Sequence, residues 1–229
     1  MNKIFYFSGS GKSKRLAENL GQTLEMKVYD ITKTDLSSSE KSETAVIVFP
    51  VYCQNIPDPL IKKIPEIKAE NIAFIATYGK KSFGNVIEDA VSLSSSNFIA
   101  GACVPCGHSF LDEADNFDFE SLSPVIERIK NPKKAKVKKG HKDFYADLIP
   151  AKRTRIGVKL TRTNACVNCG MCEENCPMGA ISGHEINDMC IRCLRCVKNC
   201  PHNAIEFKTL WFLKIYLASN RKNNIEIYL

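Results

Sequence analysis

Residues 4–20 read IFYFSGSGKSKRLAENL: an apolar run, a loop of serine and glycine, and the start of a helical pattern. The apolar run predicts a buried strand, and Leu16, Leu20 and Leu24 share one face of a predicted helix. A loop that joins a strand to a helix gathers backbone N–H groups beside the positive end of the helix dipole. The stretch therefore predicts an α/β domain whose first loop binds an anion.

Four more apolar runs follow within the first 130 residues. They cover 26–30, 45–50, 71–79 and 97–104, and helical patterns separate most of them. Runs of this length suit strands that are buried on both faces of a parallel sheet. Because strands and helices alternate, right-handed crossovers are expected. The prediction is an α/β fold with a doubly wound, parallel, five-stranded sheet and a shortened second crossover.

Eight of the eleven cysteines lie in a tight internal repeat near the end of the chain. A shift of 24 positions lays CVNCGMCEENCPMGAI (166–181) over CIRCLRCVKNCPHNAI (190–205). Each copy reads C-x2-C-x2-C-x3-C-P, which is the spacing of metal ligands rather than of a disulfide framework. The repeat predicts a small pseudo-symmetric unit that bound metal holds together.

This repeat resembles the two-cluster bacterial ferredoxins over about residues 160–208. The resemblance implies two 4Fe-4S clusters, each held by three cysteines of one copy and the fourth cysteine of the other. The implied ligand sets are Cys166, Cys169, Cys172 and Cys200 for one cluster, and Cys190, Cys193, Cys196 and Cys176 for the second. Zinc also binds sites of four cysteines, but its paired sites usually use separated pairs. The resemblance thus favours a small α+β domain for electron transfer at low potential.

The letters GKS in the first loop raise the alternative of a nucleotide-hydrolysing P-loop. That motif requires G-x-x-x-x-G-K-[ST], which would place its first glycine at position 6, where the chain has Tyr6. The runs 45–50 and 71–79 also end without an acidic partner for Mg2+. Hydrolysis of ATP or GTP is therefore disfavoured.

The pattern S-x-S-G-x-S instead resembles the phosphate loop of flavodoxins, which hold the phosphate of FMN with backbone amides and hydroxyls. Two later loops, at 50–59 and 77–85, stand where flavodoxins place the loops beside the isoalloxazine ring. Tyr52 and Tyr78 are candidates for stacking on that ring, with ordinary loop packing as the alternative. Lys12 departs from the expected uncharged residue. The candidate FMN-binding residues are Ser8, Gly9, Ser10, Gly11, Lys12, Ser13, Val51, Tyr52, Thr77, Tyr78, Gly79, Phe83 and Gly84.

A basic segment separates the two patterned regions. Residues 131–165 carry 11 lysines and arginines but only two acidic residues, in a chain whose formal charge is +7. The sequence predicts a solvated linker, with docking of an acidic partner as the alternative. The segment lacks the aromatic-basic interleaving of single-strand binders, so no nucleic acid is expected.

The predicted organisation has four parts. A flavodoxin-like FMN domain at 1–130 is followed by the basic linker at 131–160, a two-cluster ferredoxin domain at 161–208, and a tail at 209–229 that packs on a domain. No leader pattern opens the chain, and the apolar run at 209–218 is about half the length of a membrane span. We therefore expect a cytoplasmic protein without membrane insertion.

As a whole, the chain resembles the flavodoxin-ferredoxin fusion proteins of anaerobes. The resemblance implies a relay of electrons between two 4Fe-4S clusters, FMN and an unidentified redox partner protein. Two alternatives stay open: an FMN-dependent oxidoreductase acting on a small substrate, and an ATP-dependent reductive activator. The sequence leaves open whether the protein is an enzyme, the direction of electron flow, the potentials and the oligomeric state. It also assigns no role to Cys53, Cys103 and Cys106.

Overall fold

The computed structural model describes residues 2–38, 40–111, 113–114, 117–138, 140–144, 146–148, 150–183 and 185–229. In the basic segment, Lys139 lies outside these residues. Within the described part of the chain, no helix is long and apolar enough to cross a bilayer.

The first domain is a parallel sheet with helices on both faces. Its strands are β1 (Lys3–Tyr6), β2 (Lys27–Asp30), β3 (Ser42–Pro50), β4 (Ala69–Tyr78) and β5 (Asn97–Pro105), and its helices are α1 (Lys12–Leu24), α2 (Asp58–Lys63), α3 (Val86–Ser92) and α4 (Ser123–Lys130). The five strands are parallel in the order β2-β1-β3-β4-β5. This order is that of the flavodoxin-like doubly wound fold, so the predicted fold class is confirmed.

Two apolar layers cover the sheet, one on each face. On one face, Leu16 and Leu20 of α1 are fully buried, together with side chains of α4. On the other face, Leu60 of α2 and Ile87 of α3 pack beside Phe74. Strands β3 and β4 are buried along nearly their whole length, which explains why both appear in the sequence as continuous apolar runs.

The connection from β2 to β3 contains turns and no helix in its described residues, 31–38 and 40–41. Asp30 organises the first turn, because its carboxylate accepts the Thr32 N–H at 3.0 Å and its backbone oxygen accepts the Thr34 hydroxyl at 2.8 Å. Leu36 is buried and closes this edge of the core. The crossover is short, as predicted.

The basic segment runs along the first domain. The Ala135 N–H donates to the oxygen of Phe98, a residue of β5, at 2.8 Å. Ala135 and Val137 pack on the core, whereas Lys136 and Lys138 point outward and are exposed. The segment thus alternates apolar and basic residues, with its lysines in a row on the surface.

The second domain is a duplicated unit with short strands. Its elements are α5 (Pro150–Gly157), β6 (Val158–Arg162), α6 (Met171–Glu174), β7 (Ile181–Ser182), β8 (Glu185–Ile186), α7 (Arg195–Lys198) and β9 (Ile205–Thr209). Strand β6 pairs antiparallel with β9, and β7 with β8. Gly170 (φ 76°) and Leu194 (φ 65°), which correspond under the 24-residue shift, both adopt the left-handed conformation just before a short helix. The two copies therefore share their backbone conformation at this position.

The tail adds a sixth strand that the sequence pattern did not predict. Strand β10 (Glu226–Tyr228) pairs antiparallel with β5 at the edge of the sheet. Three residues are too few to show a strand period, so only the contact with β5 defines this element. Helix α8 (Trp211–Ala218) precedes it and leaves Trp211 and Ile215 exposed.

Candidate metal centre

Two cavities in the second domain are each lined by four of the eight repeat cysteines. Their volumes are about 250 Å³ and about 20 Å³. Each cavity takes three cysteines from one copy of the repeat and the fourth from the other copy. The sets are Cys166, Cys169, Cys172 and Cys200 at the first cavity, and Cys176, Cys190, Cys193 and Cys196 at the second. The structure thus brings together the same two sets that the ferredoxin resemblance implies.

Matched backbone groups hold the two exchanged cysteines. The Ala180 N–H donates to Cys176 Sγ and the Ala204 N–H donates to Cys200 Sγ, both at 3.2 Å. The two pairs correspond under the 24-residue shift. Hydrogen bonds to ligand sulfur support negative charge there and are one means by which a protein sets the potential of a cluster.

The two cavities differ in exposure. At the first cavity, Cys169 is exposed and Val167 has 59% of its surface exposed. At the second cavity, Cys190 and Cys196 each have only 9% of their surface exposed. Burial, reinforced by the neighbouring thiols, raises the pKa of Cys196 to about 12. The first set therefore lies near the surface, and the second lies inside the molecule.

Arg162 is a residue of the first cavity that sequence reasoning missed. Its Nη1 lies 3.6 Å from Cys166 Sγ and its Nη2 lies 3.8 Å from Cys172 Sγ. Both are donor contacts to sulfur at the outer limit of such bonds. The corresponding residue of the second copy is Ile186, so a comparison of the copies beyond the cysteines would have drawn attention to this cation.

The chemistry of both donor sets fits iron-sulfur cubanes, although the second cavity, at about 20 Å³, has to widen to hold one. In each set, four thiols from two chain segments surround one space, which is the donor set of a 4Fe-4S cluster. In the described ranges, no group of three or more His, Cys, Asp or Glu side chains could hold a single metal ion as placed.

The phosphate loop, residues 8–13, follows β1 and leads into α1. Gly11 takes the left-handed conformation (φ 91°) at the helix N-cap. The hydroxyls of the loop have protein partners: Ser8 Oγ accepts the Gly11 N–H at 3.1 Å, and Ser13 Oγ lies 2.8 Å from Thr77 Oγ1. Ser8 and Ser13 are both buried.

A second loop, here called the cover loop (the described residues of 106–114), reaches the phosphate loop from the end of β5. Ser109 Oγ lies 2.7 Å from Ser10 Oγ, and Lys12 Nζ donates to the Glu113 backbone oxygen at 3.1 Å. Strands β3 and β4 lie between β1 and β5, so the cover loop spans their carboxyl ends. The unexpected Lys12 therefore fastens one loop to another.

Both candidate stacking tyrosines contact protein: Tyr78 is buried and Tyr52 is half-buried. Tyr78 is fully buried, its hydroxyl donates to the Asn224 oxygen at 2.6 Å, and burial raises its pKa to about 12. A Cβ added to Gly9 would lie 2.7 Å from Tyr52 Oη, and burial raises the pKa of this phenol as well. The remaining candidates also meet protein: Val51 N–H donates to Thr77 O at 2.8 Å, Phe83 packs edge-on against Tyr78, Gly79 abuts the His108 ring, and Gly84 abuts Gln54.

As folded, these loops do not fit a bound FMN. The hydroxyls of Ser8, Ser10 and Ser13 are engaged with protein, and the carbonyl of Cys193 lies against Gly9. A flavin phosphate in the loop would have to displace these contacts. FMN binding therefore stays a prediction.

Both copies of the repeat match the family described as "4Fe-4S binding domain", over residues 162–182 and 185–206. The second domain is similar to 4Fe-4S ferredoxins. The ferredoxin resemblance is thereby confirmed for this part of the chain, and with it iron-sulfur binding and an electron-transfer role. Together with the strand order of the first domain, the match supports a flavodoxin-like domain fused to a ferredoxin-like one.

Two solved structures that resemble the first domain are flavodoxins. Two-electron reduced flavodoxin of Megasphaera elsdenii has 16% identity and a TM-score of 0.36, with 46% of this chain and 85% of that chain covered. Flavodoxin of Streptococcus pneumoniae TIGR4 has 15% identity and a TM-score of 0.43, with 58% and 99% covered. The fold assignment stands on the strand order and not on these scores. No curated protein matches this chain.

Proposed function

We propose that this chain is an electron-transfer protein that holds two 4Fe-4S clusters and exchanges electrons with a redox partner protein. The observation that carries the proposal is the pair of cavities, each lined by four cysteines and each drawing on both copies of the repeat. The ligands of one cluster are Cys166, Cys169, Cys172 and Cys200, and those of the other are Cys176, Cys190, Cys193 and Cys196.

The ligand arrangement supports a carrier more than an enzyme. Four thiols per cubane give every iron a protein ligand, so no iron keeps an open position for a substrate. The bound clusters supply one-electron transfer. The chain supplies the thiolates, the amides of Ala180 and Ala204 at the exchanged cysteines, and the guanidinium of Arg162 at the first cavity.

The first cluster site is the point of exchange with the partner. Its surroundings include the exposed residues Cys169, Val167 and Met171, whereas the second site is enclosed. A partner has to approach a cluster closely for an electron to pass, and the first cavity is the one that permits this approach.

Metal and sulfide analysis of protein purified without oxygen tests the proposal. We expect about eight irons and eight labile sulfides per chain, together with the electron paramagnetic resonance signals of reduced 4Fe-4S clusters. Cys200→Ser should lower the iron content by about half. Cys53→Ser is the matched control, because Cys53 is an exposed cysteine outside the repeat. Two zinc ions per chain, or iron that is indifferent to Cys200→Ser, would contradict the proposal.

The predicted relay through FMN and the alternative of an FMN-dependent oxidoreductase both require a flavin in the first domain. The contacts of Ser10 and Lys12 with the cover loop oppose that binding, so neither is the function that the geometry supports best. The same preparation tests both, because bound FMN adds its own absorption bands and a stoichiometry of about one flavin per chain.

A further inference from the structure

We infer that the second cysteine loop, residues 190–196, packs against the phosphate loop of the first domain. This packing site is here called the seat. The second cysteine loop thus occupies the position where flavodoxin-like folds bind a flavin phosphate. The inference rests on the proposed function, since the loop that is seated there carries cluster ligands. Its evidence is a separate set of contacts between the two domains.

Arg195 makes the main polar contact between the domains. Its side chain is buried, with the residue 4% exposed, and its Nε donates to the Ser8 backbone oxygen at 3.0 Å. Its Nη1 donates to Thr32 Oγ1 at 2.9 Å and lies 3.4 Å from Asp30 Oδ2. The guanidinium carbon lies 5.2 Å from the centroid of the Phe7 ring. One side chain of the cysteine loop therefore contacts the residues that follow β1 and the end of β2.

A buried guanidinium requires these partners. Burial of a charge is strongly unfavourable unless an opposite charge and hydrogen-bond acceptors compensate it. Asp30, Thr32 and the Ser8 carbonyl supply that compensation at Nε and Nη1, whereas Nη2 is buried and has no hydrogen-bond partner among the described residues. Arg195 is thus stable in its place only when the cysteine loop and the phosphate loop are together.

Gly9 permits an equally close backbone contact. A Cβ at this position would overlap the carbonyl oxygen of Cys193 and would lie 2.7 Å from Cys193 Cβ. The φ of Gly9 lies outside the left-handed region, so the glycine is required for close approach and not for its conformational freedom. The cysteine loop therefore rests directly on the phosphate loop.

The first copy of the repeat shows that the motif itself does not need this arginine. The residue that corresponds to Arg195 is Met171, which is 38% exposed beside the first cavity. Both residues begin a short helix after a left-handed residue. The arginine thus belongs only to the copy whose cysteine loop lies on the phosphate loop.

Hydrogen exchange of the cluster-loaded full chain tests the seat. Arg195→Met gives the second copy the residue of the first copy, so the cysteine motif should tolerate it. Because charge-assisted hydrogen bonds are lost, we expect amide exchange in residues 8–13 to become about ten to a hundred times faster. Lys198→Met is the matched control, because Lys198 is an exposed cation on the same helix. Gly9→Ala, a second variant, should accelerate the same amides.

The iron content of the same samples separates this inference from the proposed function. Eight irons with exchange rates unchanged in both Arg195→Met and Gly9→Ala would overturn the seat and leave the proposed function intact. Too little iron in the unaltered protein would instead overturn the proposed function. Titration of the loaded protein with FMN completes the test. We expect no quenching of FMN fluorescence, and stoichiometric quenching by the unaltered protein would overturn the seat.

Discussion

The two copies of the cysteine repeat share a backbone and differ in surroundings. The first copy exposes Cys169 and Val167 at the surface, whereas the second buries Cys196 and places Arg195 against the first domain. The positions of the cysteines therefore determine which four of them line each cavity. The residues between them decide what each copy contacts, and therefore which cluster site faces a partner.

The largest expected effect comes from breaking the exchange of ligands between the copies. Cys176 belongs to the first copy but lines the second cavity. We therefore expect Cys176→Ser to remove the enclosed cluster, to lower the iron content by about half, and to leave a cluster that oxidants bleach quickly. Iron and sulfide analysis with absorption spectroscopy measures this outcome. A remaining cluster that resists bleaching would show that Cys176 serves the first cavity.

The difference in exposure should also appear as two rates in the unaltered protein. A chelator under mild oxidation should remove iron from the exposed first site faster than from the second, because Cys190 and Cys196 are buried. We expect two phases of similar amplitude in the loss of absorbance. The fast phase should be missing in Cys200→Ser, which retains only the enclosed set. A single phase in the unaltered protein would contradict the expected difference in accessibility between the two cluster sites.

The fold was predictable where burial dictates the local pattern. Strands β3 and β4 are covered on both faces, so their residues have to be apolar without interruption, and the sequence shows that directly. Strand β10 was missed because its three residues show no period and it forms only by pairing with β5. The net charge of residues 131–160 predicts a linker, and two small apolar residues among lysines are too few to predict that Ala135 and Val137 pack on the first domain.

The candidate site was predictable only in its local part. The three closely spaced cysteines of each set follow from the spacing within one copy, and the exchange of the fourth cysteine follows from the ferredoxin resemblance. The contact of Arg195 with Ser8 joins residues 187 positions apart, and that of Ser10 with Ser109 joins residues 99 apart. No periodicity or motif records such contacts. The phosphate-loop sequence could therefore suggest an anion site without revealing that other loops cover it.

The cover loop, which contacts the phosphate loop at Ser10 and Lys12, should become less stable in mild acid. Burial lowers the pKa of His108 to about 4 from its ordinary 6.5, with Arg221, Lys12 and Lys81 adding to the shift and Glu113 opposing it. Since the folded pKa is depressed, the stabilisation is complete above pH 6.5. It declines as the pH falls toward 4, because the unfolded loop takes up a proton first.

His108→Asn isolates this effect. The asparagine oxygen can still accept the Phe110 N–H that His108 Nδ1 accepts at 3.2 Å, but it does not titrate. We expect the melting temperature of the loaded protein to fall more between pH 7.5 and pH 5 than that of the variant. Cluster loss in acid affects both proteins. The effect of His108 is therefore the difference between the falls in their melting temperatures. Equal slopes would mean that His108 does not limit the stability of the loop.

A smaller effect should distinguish the potentials of the two copies. Arg162→Ile gives the first copy the residue that the second copy has at Ile186. Loss of a cation near Cys166 and Cys172 disfavours the more negative reduced state, so the potential of the exposed cluster should fall by about 60 mV or less, where 59 mV is a tenfold change for one electron. Redox titration followed by electron paramagnetic resonance measures it. Lys159→Ile, which removes an exposed cation of the same strand, should change neither potential.

The smallest effect concerns the row of exposed lysines on the basic segment. Charge reversal at Lys134, Lys136 and Lys138 should slow electron transfer with a small acidic redox protein at low salt, because clustered charge steers encounter. The difference should vanish at high salt, where the charges are screened. Lys142 makes ion pairs with Asp89 at 3.3 Å and with Asp147 at 2.8 Å. Charge reversal at Lys142 should therefore change the stability of the protein more than it changes the salt dependence of electron transfer. If the triple variant keeps the salt dependence of the unaltered protein, the exposed first copy meets its partner without help from the first domain.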